Sequence, residues 1–499
     1  MVALRSAVQP SAPSVAPEGP RGAALAASAS LPSSTRLPLP TALEVVTSAA
    51  PEPQPARWPG AAPSEGESEQ LMALLAETFV RAAPNPKARK LGYLRAGARV
   101  RRAQQAVGTD GCPGGWYPIA PEGFVCVGKG ATLDLEHPLK WLSTRGPERS
   151  APLPYRYGKA VGRAPVQYVR LPDMEQQRRE EPELGARARL ATDWPLARHG
   201  EIPPLLASGA ALPNAFGVTP SASVLSVGRA MTGTTFAFVE LFDAAGRSFG
   251  VTADSRVVAL DQVTPVKGSE FHGVVVEDGA DGVAFAVTSA VTLYTLEEGQ
   301  SARFSERLPR RTGLLLSGER KRVGSAEFLR LVDGRWVAEQ GLLVMPARKT
   351  PPSSVRATAT WIDVSLGKQV LGAYEGERLR YATLVSTGVG GAGDPTETHA
   401  TVQGLFRIHT KHVSVTMDAD DVEDPFDLRD VPWVQYFQDG YALHAAWWHD
   451  GFGTPRSHGC INLAPADAQW LFAWTEPRVP PQWHGAMSAT AGTLVSIHP

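Results

Sequence analysis

The sequence predicts a chain made mainly of β-strands and divided into several domains, and three observations lead to that fold class. Glycine and proline are frequent, at 48 and 43 of 499 residues, and they separate many short apolar runs. Those runs are rich in β-branched and aromatic residues, which favour strands. The length suggests about three domains of roughly 150 residues each, and a hydrophobic content of 43% can supply their cores.

The N-terminal segment, residues 1–69, is dominated by proline, alanine and serine. Twelve prolines fall within the first 63 positions, well above the share of about 5% in ordinary proteins. A segment of this composition cannot bury enough apolar surface to fold, so it is predicted to be a disordered tether or a processed leader. The run Glu69–Val80 that follows is predicted to form a short helix.

Residues 70–150 are predicted to form a first β module. Short alternating runs broken by glycine and proline indicate small strands and turns in this part of the chain. A Gly-Trp-Tyr strand at 115–117 follows a polar loop, and this pattern resembles bacterial SH3-like modules. Trp116 and Tyr117 are then either core residues or a surface that binds wall peptides.

The chain has three cysteines, at Cys112, Cys126 and Cys460. The first two lie in the first β module, at a spacing that a hairpin-like loop can bridge, so a disulfide between them is predicted. A disulfide together with one functional thiol implies an oxidising compartment. The alternative is a set of three unrelated reduced cysteines.

Residues 151–215 are predicted to be a connector, and residues 216–347 a second β-rich region. In the connector, the charged run Met174–Glu183 indicates a solvated face or a short exposed helix. In the second region, alternating apolar residues on either side of Asp333–Gly334 indicate a hairpin. Further strands are predicted at 154–157, 166–169, 235–242 and 248–251, and one or two strands at 283–294.

Residues 356–499 are predicted to be a separate β-rich domain with one short helix. Pro465 suits the first position of a helix that continues over 466–475, where Trp470, Leu471 and Trp474 recur at helical spacing. Strands of this domain are predicted at 360–364, 369–374, 380–387, 401–408, 431–437, 440–444 and 492–498.

The most informative stretch of this domain is Ser457-His458-Gly459-Cys460-Ile461-Asn462, with twelve residues between His444 and its start. A thiol is strongly nucleophilic only as thiolate, and a nearby imidazole is the usual means of producing one. A strand end, a loop and a return would bring His444 beside Cys460. Backbone N–H groups around Gly459 would then hold a developing oxyanion. The residue types therefore indicate acyl transfer through a thioester.

This pattern resembles the signature of the L,D-transpeptidase catalytic domain (YkuD-type), a family that cross-links bacterial cell walls. The family pattern is a histidine, a gap, and then Ser/Thr-His-Gly-Cys-apolar-Asn/Arg. Ala445 stands here where the family usually has glycine or serine. The resemblance implies that Cys460 is the nucleophile and His444 its base. The residues that would position the thiol or the oxyanion are Ser457, His458, Gly459 and Asn462.

The resemblance also implies the substrate, the cofactors and the location. The substrate would be a peptidoglycan stem tetrapeptide, cut before its terminal D-alanine, with a diamino-acid side-chain amine as the acceptor. The resemblance implies no metal or organic cofactor. It implies a protein that is exported to the periplasm or the cell envelope. A zinc site is the competing use of these residue types, but no Cys-x-x-Cys or His-x3-His pair supports it.

Residues of the loop before the motif have further possible roles. A main-chain carbonyl at Ala445 or Ala446 would orient His444, and the side chain of Asp450 is the alternative. His449 is expected to be a solvated loop residue. The side chains that would contact the peptide, unless the loop is a fixed structural element, are Arg456, Trp447 and Trp448.

Charge and hydropathy restrict the possible partners. A net charge of −1 and a pI near 6.9 argue against nucleic acid or an anionic membrane surface. No stretch has the roughly 18 apolar residues of a membrane span, so no transmembrane segment is predicted. Two other functions compete with transfer: a cysteine peptidase or L,D-carboxypeptidase that hydrolyses stem peptides, and a wall-binding scaffold. The oligomeric state is not indicated by the sequence.

Overall fold

The structure is a computed structural model that describes residues 69–184, 194, 200–214, 216–296, 302–353, 355–356, 359–391, 393–395, 397–419 and 426–499. The predicted tether or leader, apart from its last residue, lies outside this part of the chain. The regular secondary structure of the described residues is mainly β-strand, as predicted, and the strands form four sheets. No helix among them is both long enough and apolar enough to cross a membrane.

The first β module contains seven strands. They are β1 Gln70–Ala73, β2 Thr78–Arg81, β3 Lys90–Leu94, β4 Arg99–Arg101, β5 Trp116–Pro118, β6 Phe124–Cys126 and β7 Ala131–Thr132. The helix predicted for residues 69–80 is wrong, because β1 pairs with β4 and β7 while β2 pairs with β3 and β6. A short apolar run cannot distinguish a buried strand from a helix, and partners distant in sequence decide here.

Cys112 and Cys126 are joined by a disulfide that links β6 to the loop before β5, with their Cα atoms 5.8 Å apart. Trp116 is buried, and its indole N–H donates to the Asp110 carbonyl at 2.7 Å. Tyr117 is half-buried beneath the Arg102 guanidinium. Trp116 therefore serves as a core residue. The SH3-like character of this module stays a prediction.

The next region carries seven strands and two short α-helices. The strands are β8 Arg156–Ala160, β9 Val166–Tyr168, β10 Ser226–Arg229, β11 Thr235–Ala244, β12 Arg247–Thr252, β13 Val257–Ala259 and β14 Val263–Pro265. The helices are α1 Met174–Glu180 and α2 Pro204–Ala207, with 3-10 turns at Pro138–Thr144 and Leu260–Gln262. The charged run Met174–Glu183, predicted to be a solvated face or a short exposed helix, thus contains a short helix. Asp173 and Gln176 begin it with a reciprocal capping box.

A further set of strands covers residues 274–346. They are β15 Val274–Val275, β16 Gly282–Ala286, β17 Thr292–Leu296, β18 Ala302–Arg307, β19 Gly313–Val323, β20 Ala326–Leu331, β21 Trp336–Ala338 and β22 Leu342–Pro346. Strands β16 to β22 form a seven-stranded sheet with its own apolar cluster, and this unit is called the 282–346 module below. The hairpin predicted at Asp333–Gly334 is confirmed by the pairing of β20 with β21. Residues 283–294 contribute to two strands.

The C-terminal region contains ten strands and one helix. They are β23 Thr360–Ser365, β24 Val370–Glu375, β25 Arg378–Leu384, β26 Gly404–Arg407, β27 Thr410–Ala419, β28 Phe426–Gln438, β29 Tyr441–Ala445, β30 Ile461–Leu463, β31 Gly485–Met487, β32 Leu494–His498 and α3 Pro465–Trp474. Proline occupies the start of α3, as predicted. The six-stranded sheet that holds β23 to β26 packs across a shared apolar core against β27 to β30 and α3.

One sixteen-stranded sheet includes strands from four of the predicted sequence regions. β3 pairs with β31, where Gly92 faces Ala486, and β11 pairs with β28, where Thr235 faces Leu428. Strands on both sides of the predicted domain limits are therefore hydrogen bonded to one another. The limits themselves stay a prediction.

A buried polar cluster lies where the first β module meets β27 and β28. Arg95 Nη1 donates to Asp430 Oδ1 at 2.5 Å and to His484 Nε2 at 3.0 Å. The Tyr93 hydroxyl lies 2.9 Å from His412 Nδ1. Burial lowers the pKa of His412 to about 4 and holds that of His484 well below its ordinary range. Both imidazoles are therefore neutral at pH 7.

Acidification from pH 6.5 to 4 is expected to destabilise the fold through His412. The unfolded chain binds a proton near pH 6.5, whereas the folded chain does so only near pH 4. The contribution of His412 to the free energy of unfolding is therefore fully present above pH 6.5. It decreases as the pH falls, by up to about 3 kcal/mol. Urea unfolding at pH 7.0, 5.5 and 4.5 measures the loss. His412→Gln should flatten this dependence, and the exposed His399→Gln should leave it unchanged; equal slopes in both variants would refute the assignment.

Candidate active site

Two adjacent parallel strands carry His444 and the residues that follow Cys460. In the β29–β30 ladder, Leu443 faces Ile461 and His444 faces Asn462. Cys460 immediately precedes β30, so it lies two residues before the strand partner of His444. The loop that connects the two strands, residues 446–460, is called the catalytic loop below.

His444 is buried and held in one tautomer. Its Nδ1 lies 3.1 Å from the Ala445 carbonyl oxygen. Because a carbonyl can only accept a hydrogen bond, Nδ1 carries the hydrogen and Nε2 keeps a free lone pair. Burial lowers the pKa of His444 to about 4. Asp450, the other residue considered for orienting this ring, is bonded to Arg311 and Ser269 instead.

Cys460 is a free, half-buried cysteine whose Sγ lies 3.7 Å from the Gly440 carbonyl oxygen. Burial raises the pKa of the thiol to about 11. A hydrogen bond from the Ala442 main chain acts in the opposite direction and lowers this pKa, but its effect is smaller. These shifts favour a neutral thiol and a neutral imidazole at pH 7. This pair suits proton transfer during attack, with His444 as a general base, better than a preformed ion pair.

The motif backbone is held in a tight turn around Gly459. Ser457 Oγ donates to the Cys460 carbonyl at 2.5 Å and accepts from the Gly459 N–H at 3.1 Å. Gly459 has φ +125°, and a Cβ there would lie 2.7 Å from the Tyr441 ring. Glycine is required at this position on both grounds. The Gly459 N–H therefore already has a partner within the motif.

A second layer behind the motif comes from residues that the sequence did not single out. Thr401 Oγ1 donates to the Gly459 carbonyl at 2.7 Å and accepts from the Gly388 N–H at 2.9 Å. The Gln369 side chain donates to Thr387 Oγ1 at 2.6 Å and accepts from its N–H at 2.9 Å. These contacts join positions far apart in the chain, so local patterns carry no signal for them.

His449 corrects an expectation, because it is not a solvated loop residue. Burial lowers its pKa to about 4, and its Nε2 lies 3.1 Å from the Asn462 carboxamide. Its Nδ1 lies 3.2 Å from the Gly451 nitrogen, so both ring nitrogens face N–H groups and the neutral ring can accept a hydrogen bond from one of them. His449 thus connects the catalytic loop to the residue opposite His444.

The remaining predicted site residues occupy different surroundings. Trp447 is buried, with its ring 5.6 Å from that of Tyr157. Trp448 is half-buried, 5.8 Å from the His444 ring. His458 and Arg456 are exposed, and the His458 ring lies 4.5 Å from that of His399. Their contacts with a peptide stay predictions. The described residues include no cluster of three or more His, Cys, Asp or Glu placed to hold a metal ion.

The chain is similar to one protein family by sequence and to several solved structures by fold. The family model of the L,D-transpeptidase catalytic domain, YkuD, matches residues 359–497. An L,D-transpeptidase structure from Xylanimonas cellulosilytica is 25% identical, with 30% of this chain and 64% of that chain covered and a TM-score of 0.21. One from Stackebrandtia nassauensis is 24% identical, with 30% and 59% covered and a TM-score of 0.22.

A third structure is L,D-transpeptidase 3 from Mycobacterium tuberculosis with a faropenem-derived adduct, which is 18% identical. The matched region covers 37% of this chain and 79% of the chain in that structure, with a TM-score of 0.23. No curated protein matches the chain. This chain spans about three fifths of the length of the first two structures. By the family model, residues 359–497 carry an L,D-transpeptidase catalytic domain.

Proposed function

We propose that this protein is a peptidoglycan L,D-transpeptidase that carries its donor peptide as a thioester on Cys460. The observation that supports this most directly is the parallel β29–β30 register, in which His444 faces Asn462, two residues after Cys460, while His444 Nδ1 is bonded to the Ala445 carbonyl. A thiol and a neutral imidazole are the two groups that thioester formation needs.

The first half-reaction forms the thioester. Nε2 of His444 takes the thiol proton as Sγ of Cys460 attacks the carbonyl carbon before the terminal residue of the stem tetrapeptide. The oxygen of the tetrahedral intermediate accepts a hydrogen bond from the Cys460 N–H. The imidazolium then gives its proton to the leaving nitrogen, the C–N bond breaks, and D-alanine departs.

The second half-reaction returns the thiol. An acceptor amine attacks the thioester carbonyl and loses a proton to Nε2 of His444. The C–S bond breaks, and Sγ of Cys460 recovers a proton from the imidazolium. The acceptor would be a diamino-acid side chain of a second stem peptide. Action outside the cytoplasm, in the cell envelope, is part of the proposal and agrees with the Cys112–Cys126 disulfide.

Mass spectrometry of purified protein incubated with a disaccharide-tetrapeptide tests the proposal. A cross-linked dimer that lacks one D-alanine is expected. Tripeptide as the only product would favour the hydrolytic alternative, because water would then be the acceptor. An absence of both products from folded wild-type protein would overturn the proposal in favour of a wall-binding scaffold.

Alkylation of Cys460 by iodoacetamide at pH 6 separates a catalytic thiol from an inert one. We expect wild-type protein to react faster than His444→Ala, because the imidazole assists removal of the thiol proton. Cys112 and Cys126 are joined in the disulfide, so Cys460 is the free thiol. Equal, slow rates in both proteins would favour the scaffold.

A further inference from the structure

The catalytic loop is hydrogen bonded to the 282–346 module through Asp450. Arg311, in the loop between β18 and β19, donates through Nη2 to Asp450 Oδ2 at 2.5 Å and through Nη1 to Oδ1 at 2.9 Å. Nη1 also donates to the Asp450 main-chain carbonyl at 2.6 Å. One guanidinium therefore fixes both the side chain and the backbone of a single loop residue.

Other contacts surround this ion pair. Ser269 Oγ donates to Asp450 Oδ1, and the Arg311 guanidinium lies 5.4 Å from the centre of the Phe271 ring. Phe271 stacks on Phe452 of the catalytic loop, with centroids 5.7 Å apart and an interplanar angle of 23°. Bidentate, ring-supported pairs of this kind are stronger and more specific in geometry than an isolated surface pair.

The backbone of Arg311 is itself unusual. Its φ is +72°, in the left-handed region that non-glycine residues seldom adopt, and its N–H donates to the Ala286 carbonyl at 2.6 Å. A costly backbone conformation at an arginine is more often retained where the direction of the side chain matters than where it does not. The module thus holds this side chain in a defined direction, toward Asp450.

The pair is connected to the nucleophile through a short series of contacts. Asp450 follows His449, whose ring lies 4.8 Å from that of Phe452. His449 Nε2 in turn lies 3.1 Å from the carboxamide of Asn462. Asn462 faces His444 in the strand register and is two residues from Cys460. These contacts connect Asp450 to the strand that follows the thiol.

We infer that Arg311 is a positioning residue for the catalytic centre, supplied by the 282–346 module. By holding Asp450, it keeps His449 against Asn462 and so keeps Cys460 in register with His444. The inference rests on the proposed function in one respect, namely that Cys460 is the reacting thiol. It assigns to the 282–346 module a role in setting the geometry of the catalytic loop.

A double-mutant cycle on the full chain tests this inference. The variants are Arg311→Ala, Asp450→Ala, the double variant and Arg311→Lys. The readouts are the rate of Cys460 alkylation by iodoacetamide between pH 6 and 9, and the kcat and KM of peptide transfer. We expect each single alanine variant to lower the alkylation rate and kcat about tenfold, with the double variant no slower than either. Arg311→Lys should recover part of the loss.

Arg335→Ala is the matched control, because Arg335 forms a similarly short pair with Asp333 within the same module and not with the catalytic loop. It should change the rates less than twofold, and all variants should keep the unfolding temperature of the wild type. Multiplicative losses in the double variant, or rates within twofold of wild type for Arg311→Ala, would overturn the inference. If the cycle shows coupling while wild-type protein yields no transfer product, the proposed function fails and the positioning role stands.

Discussion

Cys460→Ser is expected to lower the rate of peptide transfer by at least about 1000-fold. A hydroxyl holds its proton far more tightly than a thiol, and His444, with its pKa lowered to about 4, is too weak a base to remove it. His444→Gln should cause a loss of similar size. The double variant should be no slower, because residues that act as one unit are not additive. Turnover of the tetrapeptide followed by mass spectrometry measures the effect.

The control for this experiment is His498→Gln on β32, which removes a half-buried imidazole from the six-stranded sheet and leaves the motif intact. It should keep at least half of the wild-type rate. Circular dichroism should show that the slow variants remain folded. Transfer by Cys460→Ser at the wild-type rate would show that another group carries the acyl intermediate.

Arg247→Met is expected to lower the free energy of unfolding by about 3–5 kcal/mol. Arg247 is fully buried, with Nη1 2.8 Å from Glu181 Oε1 and Nη2 2.9 Å from Asp261 Oδ1. The Tyr168 hydroxyl also donates to Glu181, at 2.6 Å. Against the effect of burial, hydrogen bonds from Arg247 and Tyr168 lower the pKa of Glu181, so the carboxylate is charged at pH 7. Methionine would leave two buried carboxylates without their cation.

Urea unfolding at pH 7 measures this loss. Arg335→Met is the matched control, because its partner Asp333 is exposed and such pairs contribute at most about 1 kcal/mol. The exposed pair should therefore change stability little. A loss below about 1 kcal/mol for Arg247→Met would mean that water or a rearranged neighbour satisfies Glu181 and Asp261.

Local patterns were sufficient for most strands of the C-terminal domain and for its helix. Alternation and turn residues predict β23, β24 and β29 close to their observed limits, and Pro465 marks the start of α3. They failed at residues 69–80, where the apolar run has no periodicity that excludes a helix. Pairing of β1 with β4 and β7 across the first module makes that segment extended.

The sequence by itself predicted the chemistry that we propose for this protein. A cysteine in Ser-His-Gly-Cys-Ile-Asn and a histidine upstream indicate a nucleophile and a base, because the prediction follows from residue type and from spacing within one short stretch. Only the tertiary structure decided how that centre is supported. The contacts of Gln369, Thr401 and Arg311 join residues that are 18, 58 and 139 positions apart. Such contacts depend on how strands from distant parts of the chain align, which no local pattern encodes.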